Sequence, residues 1–172
     1  MITLATLRDR CRPTVTAGLA LALLGLMAGA PAPAEAASIH VTLAPSVAAA
    51  PVDGRVIVAL SKNEDDEPRN QVTAGVDAIQ VFGVDVDALA PGAAAVVDGS
   101  VFGYPYESLD RLPAGRYRAQ AVLHRYETFR RADGHVVKLP EDRGEGQHWN
   151  LAPGNFLSPP VWIDFDPAAR EP

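Results

Sequence analysis

Three of the four histidines, His124, His135 and His148, fall in one polar and aromatic stretch that also carries Tyr126, Glu127, Asp133, Glu145, Trp149 and Asn150. Imidazoles beside a carboxylate can hold a metal ion if their donors converge. They can also act as the acid and base of an esterase-like hydrolase, here around His124, Glu127, His135 and His148. Ligand spacings such as H-x-H or H-x-x-x-H are absent, so nothing in the spacing calls for a metal. The residues Tyr126, Glu127, Asp133, His135, Glu145, His148, Trp149 and Asn150 suit a third task better. Flat aromatic faces with amides and carboxylates at their rim are what a small polar or carbohydrate ligand requires. The competing explanation is packing, with Trp149 plugging one end of a β fold while Asn150 and Asn155 satisfy loop backbone.

Catalytic motifs elsewhere are incomplete. No serine sits in a G-x-S-x-G elbow; Ser100 lies between Gly99 and Gly103, but Asp98 stands where the first glycine belongs. H-E-x-x-H, a phosphate-cradling G-x-x-x-x-G-K and a cysteine pair are all missing, and Gly144-Glu145-Gly146 lacks the third glycine of a dinucleotide turn. The acidic run Glu64-Asp65-Asp66-Glu67 does not follow the calcium-loop spacing and reads as a solvated loop. No catalytic residue, metal or cofactor is therefore assigned.

These side chains must be positioned by short elements. With 14 Gly and 15 Pro, the chain favours many strands joined by turns over long helices. Arg55–Ser61 carries β-branched residues on both faces and predicts a central strand covered on both sides. Residues 79–86 form a second run, in which Gly83 marks a bulge or a close approach, and 94–98 a third. Between residues 117 and 126, Tyr117, Ala119, Ala121 and Leu123 alternate with Arg118, Gln120, Val122 and His124, a strand of period two. Asp133-Gly134 offers a tight hairpin turn into 135–139, and this hairpin could bring His124 and His135 together across the ladder. Residues 38–43 and 161–166 supply the outer strands. Leu112-Pro113-Ala114-Gly115-Arg116-Tyr117 has the form of a tyrosine corner, in which the hydroxyl returns to upstream backbone. The expected fold is all-β: an antiparallel β-sandwich of about seven strands, immunoglobulin-like or transthyretin-like, over residues 55–166, after an extended segment at 38–54 and before a tail at 167–172.

The front of the chain reads as a Sec-type signal peptide. Arg8, Arg10 and Arg12 precede an apolar stretch over 15–30, and Ala34-Glu35-Ala36 fits the small-x-small cleavage pattern, with cleavage after Ala36 or Ala37. The apolar run is shorter than the ~20 residues a spanning helix needs, so a periplasmic or secreted protein, without a membrane anchor after cleavage, is expected. The only cysteine, Cys11, leaves with the leader. What remains is about 135 residues with a charge of about −7. Such an acidic chain lacks the basic stripe that nucleic acid requires.

One longer pattern resembles a known family. Residues 126–135, then 142–150 and Pro153-Gly154-Asn155, with Phe82-Gly83-Val84-Asp85-Val86 and Gly103-Tyr104-Pro105 upstream, are similar to the N-terminal β-rich accessory region of exported bacterial esterase-like proteins. In that family the region precedes an α/β-hydrolase domain that carries the nucleophilic serine. The resemblance covers most of residues 55–165. It implies a non-catalytic accessory module, without a hydrolase domain of its own in this chain, and an α/β-hydrolase-type protein as partner.

Overall fold

The structure, a computed structural model, describes residues 2–6, 37–75, 77–144, 146 and 148–168. Within them the protein is all-β, with antiparallel sheets and two single 3₁₀ turns, Pro68–Asn70 and Leu109–Arg111. Eleven strands are formed: β1 (Thr3–Thr6), β2 (Ile39–Thr42), β3 (Val52–Ser61), β4 (Gln80–Leu89), β5 (Ala94–Val97), β6 (Gly103–Tyr104), β7 (Gly115–Arg125), β8 (Glu127–Arg130), β9 (Val136–Leu139), β10 (Phe156–Leu157) and β11 (Val161–Phe165). The four beyond seven are β6 and β10, too short to show a period, β8, which follows β7 after a single residue, and β1, which lies in the segment read as a leader.

The larger sheet runs β10-β7-β3-β4-β6, with β11 also on β7. The smaller runs β1-β2-β5, and a hairpin of β8 and β9 forms a third. On one face of the large sheet, Val56, Val58 and Leu60 of β3 lie beside Tyr117, Ala119, Ala121 and Leu123 of β7 and Phe82 of β4. This face shares one apolar core with Ile39, Val41, Leu43, Ala95 and Val97 of the small sheet. The alternation in β7 thus sorts its residues as the sequence suggests.

The opposite face explains why β3 is apolar on both sides. Ile57, Ala59 and Ser61 are buried there although no second sheet covers them. The acidic loop does so in part, strapped down through its own backbone. Arg118 Nη1 donates to the carbonyls of Glu64 and Asp66, both at 2.9 Å, and Gln120 Oε1 accepts from Arg69 N at 3.1 Å. Gln120 Nε2 also donates to Glu67 Oε2 at 2.9 Å. That bond, followed by the Arg69 guanidinium, holds the Glu67 carboxyl below its ordinary pKa. A carboxylate so depressed stabilises the fold above its unfolded pKa and stops doing so as pH falls through the folded value. We expect the urea midpoint to drop below about pH 5 and Glu67→Gln to flatten part of that drop. A pH profile identical to the wild type would remove Glu67 as the cause.

The tyrosine corner forms as expected. Tyr117 is buried, and its hydroxyl donates to Pro113 O at 2.8 Å. Tyr117→Phe is expected to lose about 1 kcal/mol, seen as a lower urea midpoint at unchanged slope.

Three local expectations are corrected. Of the two readings of Gly83, the bulge fails and the close approach holds: the β3–β4 register is continuous through it and shifts instead between Val52 and Gly54, while a Cβ on Gly83 would lie 2.6 Å from Arg55 Nε. The Asp133-Gly134 pair is not the centre of a two-residue turn. Gly134, at φ +87°, donates its N–H to Arg131 O, and Arg131 N donates to His135 O, which leaves a loop of residues 132–134 closed by a left-handed glycine. Finally, His124 and His135 do not face each other. Tyr126 N donates to Asp53 O as the chain leaves β7, after which, among the described residues, β8 pairs with β9 alone. His124 therefore lies opposite Arg55 of β3, while His135 lies at the far tip of the hairpin.

Candidate functional site

The uncovered part of the large sheet's second face forms a shallow cavity of about 380 Å³, within the size range of small-ligand sites. Period two supplies its floor. Arg55 and Ile57 of β3, Val81 and Gly83 of β4, and His124 of β7 all project to this side, because each is one residue out of step with the core positions. Its rim is aromatic: Tyr104 from β6, Phe102 just before it, and Trp149 from the loop after the hairpin. Phe102 and Tyr104 are 68% and 55% exposed, far more than rings that serve packing alone.

Each wall is held in place. Arg55 lies across β4, with Nη1 donating to Asp85 Oδ1 and Nη2 to Gly83 O, both at 2.8 Å. Gly83 is what permits this. A Cβ there would sit 2.6 Å from the Arg55 Nε, so the glycine makes room for a side chain rather than for a turn. Asp85 also accepts from the Tyr126 hydroxyl at 3.4 Å, and Tyr126 meets the His124 ring edge-on at 6.1 Å between centroids. Partial burial, then the Asp85 charge, pushes the Tyr126 phenol above its ordinary pKa, so it stays protonated as a donor. The Trp149 loop is anchored at two carbonyls: Asn155 Nδ2 donates to Trp149 O and Arg69 Nη1 to Asn150 O, each at 2.6 Å.

The residues expected from the sequence are divided by this geometry. Trp149 lines the cavity, as does His124, while Tyr126 supports it through Asp85 and His124. Asn150 braces the loop through its backbone. Glu127 pairs with Arg125 at 3.8 Å on the surface, and Asp133 sits at the hairpin tip with Arg131 and His135. His148 is exposed and is not part of the lining. Glu145 lies outside the described residues. Among the described residues, no group of three His, Cys, Asp or Glu side chains is placed to hold a metal ion.

Arg55, Tyr104 and Phe102 were not expected. Arg55 carries a signal, being a charged residue on the non-core phase of a strand otherwise rich in β-branched residues. The Gly103-Tyr104 pair belongs to a strand of two residues, too short for any period to show.

A larger cavity, about 550 Å³, lies at the other end of β3 among Lys62, Gln80, Tyr106 and Tyr117. Several of its polar groups are committed to the fold, although Lys62, Thr73 and Asp77 also line it. Ser61 bonds Gln71, the Gln80 amide holds Tyr106 backbone in both directions, and Tyr117 bonds Pro113. What distinguishes the smaller cavity is its rim of Phe102, Tyr104 and Trp149.

Among the described residues, the lining of the smaller cavity has no serine, threonine or cysteine. It offers stacking surfaces, a guanidinium and an imidazole, a set suited to holding a ligand. No family model, curated protein or solved structure matches the chain.

Proposed function

We propose that this chain is an exported, non-catalytic β-module that binds a small polar ligand, with carbohydrate the favoured class, on the open face bounded by Phe102, Tyr104 and Trp149. The observation that carries this is the exposure of Phe102 and Tyr104, with the half-buried Trp149 beside them, around Arg55 and His124. A sugar ring stacks its C–H face on an aromatic plane and directs its hydroxyls to donors and acceptors at the edge. Export rests on the order of arginines, apolar run and Ala34-Glu35-Ala36 at the front of the chain. The same reading makes the two sheets an immunoglobulin-like or transthyretin-like sandwich. The resemblance of residues 55–165 to accessory regions supports an α/β-hydrolase-type partner, which this module would bring to its substrate.

The test is direct. The exported protein, carrying Trp162→Phe so that Trp149 is the reporting indole, is titrated with neutral and uronic-acid oligosaccharides. Saturable change in Trp149 emission is expected, with p-nitrophenyl acetate hydrolysed only at its background rate. No response to any oligosaccharide, or ester turnover that survives purification, would overturn the reading.

A further inference from the structure

The small sheet is completed by residues that the export reading removes. β1 pairs with the outer edge of β2, Thr3 opposite Thr42 through Thr6 opposite Ile39, while β5 occupies the other edge. Ile2, just ahead of β1, is 1% exposed in the shared core, and its N–H donates to Leu157 O at 3.3 Å. Cleavage after Ala36 or Ala37 would leave β2 with an open edge and, beside Leu43, an apolar socket shaped by an isoleucine.

Two features of the remaining chain say what fits there. First, residues 37–52 contain no Asp, Glu, Lys or Arg. Strand edges are ordinarily guarded by such charges. An acidic chain repels its own copies over most of its surface, but not here. Second, the displaced segment has a near copy within β2 and the residues after it: Ile2-Thr3-Leu4-Ala5 corresponds to Val41-Thr42-Leu43-Ala44.

We propose that the exported protein is a dimer in which β2 of a second copy takes the place of β1. In the register that β1 occupies, Val41 of one copy falls opposite Leu43 of the other, Thr42 opposite Thr42, and Leu43 opposite Val41. The pairing is its own mirror in sequence, so one contact satisfies both molecules about a two-fold axis and closes the assembly. Val41 of each copy, while remaining in its own core, is set beside the other's socket left by Ile2, and the backbone groups along each open edge regain partners.

This inference rests on removal of residues 1–37, and its test separates the two. The protein is recovered as exported, its N-terminus fixed by intact mass, and its size measured by sedimentation. Thr42→Cys and His40→Cys variants are then oxidised mildly; once Cys11 has gone with the leader, the introduced thiol is the only one. Opposed residues of antiparallel strands lie about 4.5–5.5 Å apart between Cα atoms, within disulfide reach. Two His40 positions would lie four residues apart along the ladder, about 13 Å, beyond it. The expected result is a dimer of the shortened chain, with cross-linking of most Thr42→Cys and of little His40→Cys. A shortened chain that sediments as a monomer, or cross-links equally at both positions, overturns the dimer and leaves export standing. A mass that retains residues 1–37 overturns both.

Discussion

Phe82→Ala is expected to cost about 3–5 kcal/mol, a large part of the roughly 5–15 kcal/mol that holds a single domain together. Phe82 is fully buried on β4, opposite Val58 of the central strand. Its ring also occupies the space of a missing side chain. A Cβ on Gly103 would lie 2.4 Å from Phe82 Cδ1, so β6 closes over the ring because residue 103 has nothing to add. Strands on both sides of β4 are fixed by ladder bonds, so the surroundings cannot collapse into the vacancy, and the loss includes a cavity as well as a transfer cost. Urea unfolding of wild type and variant at matched slope measures it. Gly103→Ala approaches the same contact from the opposite side by overfilling it and should cost about 1–3 kcal/mol. A loss below about 1 kcal/mol for Phe82→Ala would show that the ring is not packed as described.

The second large effect is on binding. Trp149→Ala should weaken the affinity for the oligosaccharide found by titration by about 10–100-fold, or about 1.4–2.7 kcal/mol, since a stacking tryptophan is the usual dominant contact of a small site. Stability should change little, because Trp149 is only half-buried and its loop is held through backbone carbonyls. Isothermal titration and a melting curve on the same sample separate the two quantities. Arg55→Lys is the informative companion. It retains the charge but cannot bond Asp85 and Gly83 O together from one planar group, so a loss of affinity intermediate between wild type and Trp149→Ala is expected. Unchanged affinity in Trp149→Ala would move the site away from this face.

The elements that carry a period were legible before any coordinates. Tyr117, Ala119, Ala121 and Leu123 line up in the core because a strand repeats every two residues, and the buried apolar pairs of β3 follow from β-branched residues in both phases. What covers the second phase of β3 was not legible. The cover is made of loop carbonyls reached by Arg118 and Arg69, and a carbonyl has no residue type by which to be recognised. The candidate site shows the same division. Trp149 and His124 stood out by type, whereas Phe102 and Tyr104 come to the rim through a two-residue strand. Strand alternation followed by a hairpin turn suggests one continuous ladder that carries His135 toward His124. The chain instead leaves the large sheet at Tyr126, and Lys138 ties the separate hairpin back to Asp53 and Asp87. No residue type announces such a departure.

The central strand has a further consequence, for timing. β3 lies between β4 and β7, and its β7 partners are far along the chain: Gly54 pairs with Arg125 and Ser61 with Arg118. Half of that strand's ladder therefore cannot form until most of the polypeptide is present, and closing so long a loop is the slow part of acquiring a β topology. Under the proposed export, the chain would cross a membrane as an extended thread, and slowness of this kind would be an advantage. The sheet has no second neighbour for its middle strand until residues 115–125 have been made, which under that proposal would leave time for the front of the chain to engage an export machinery.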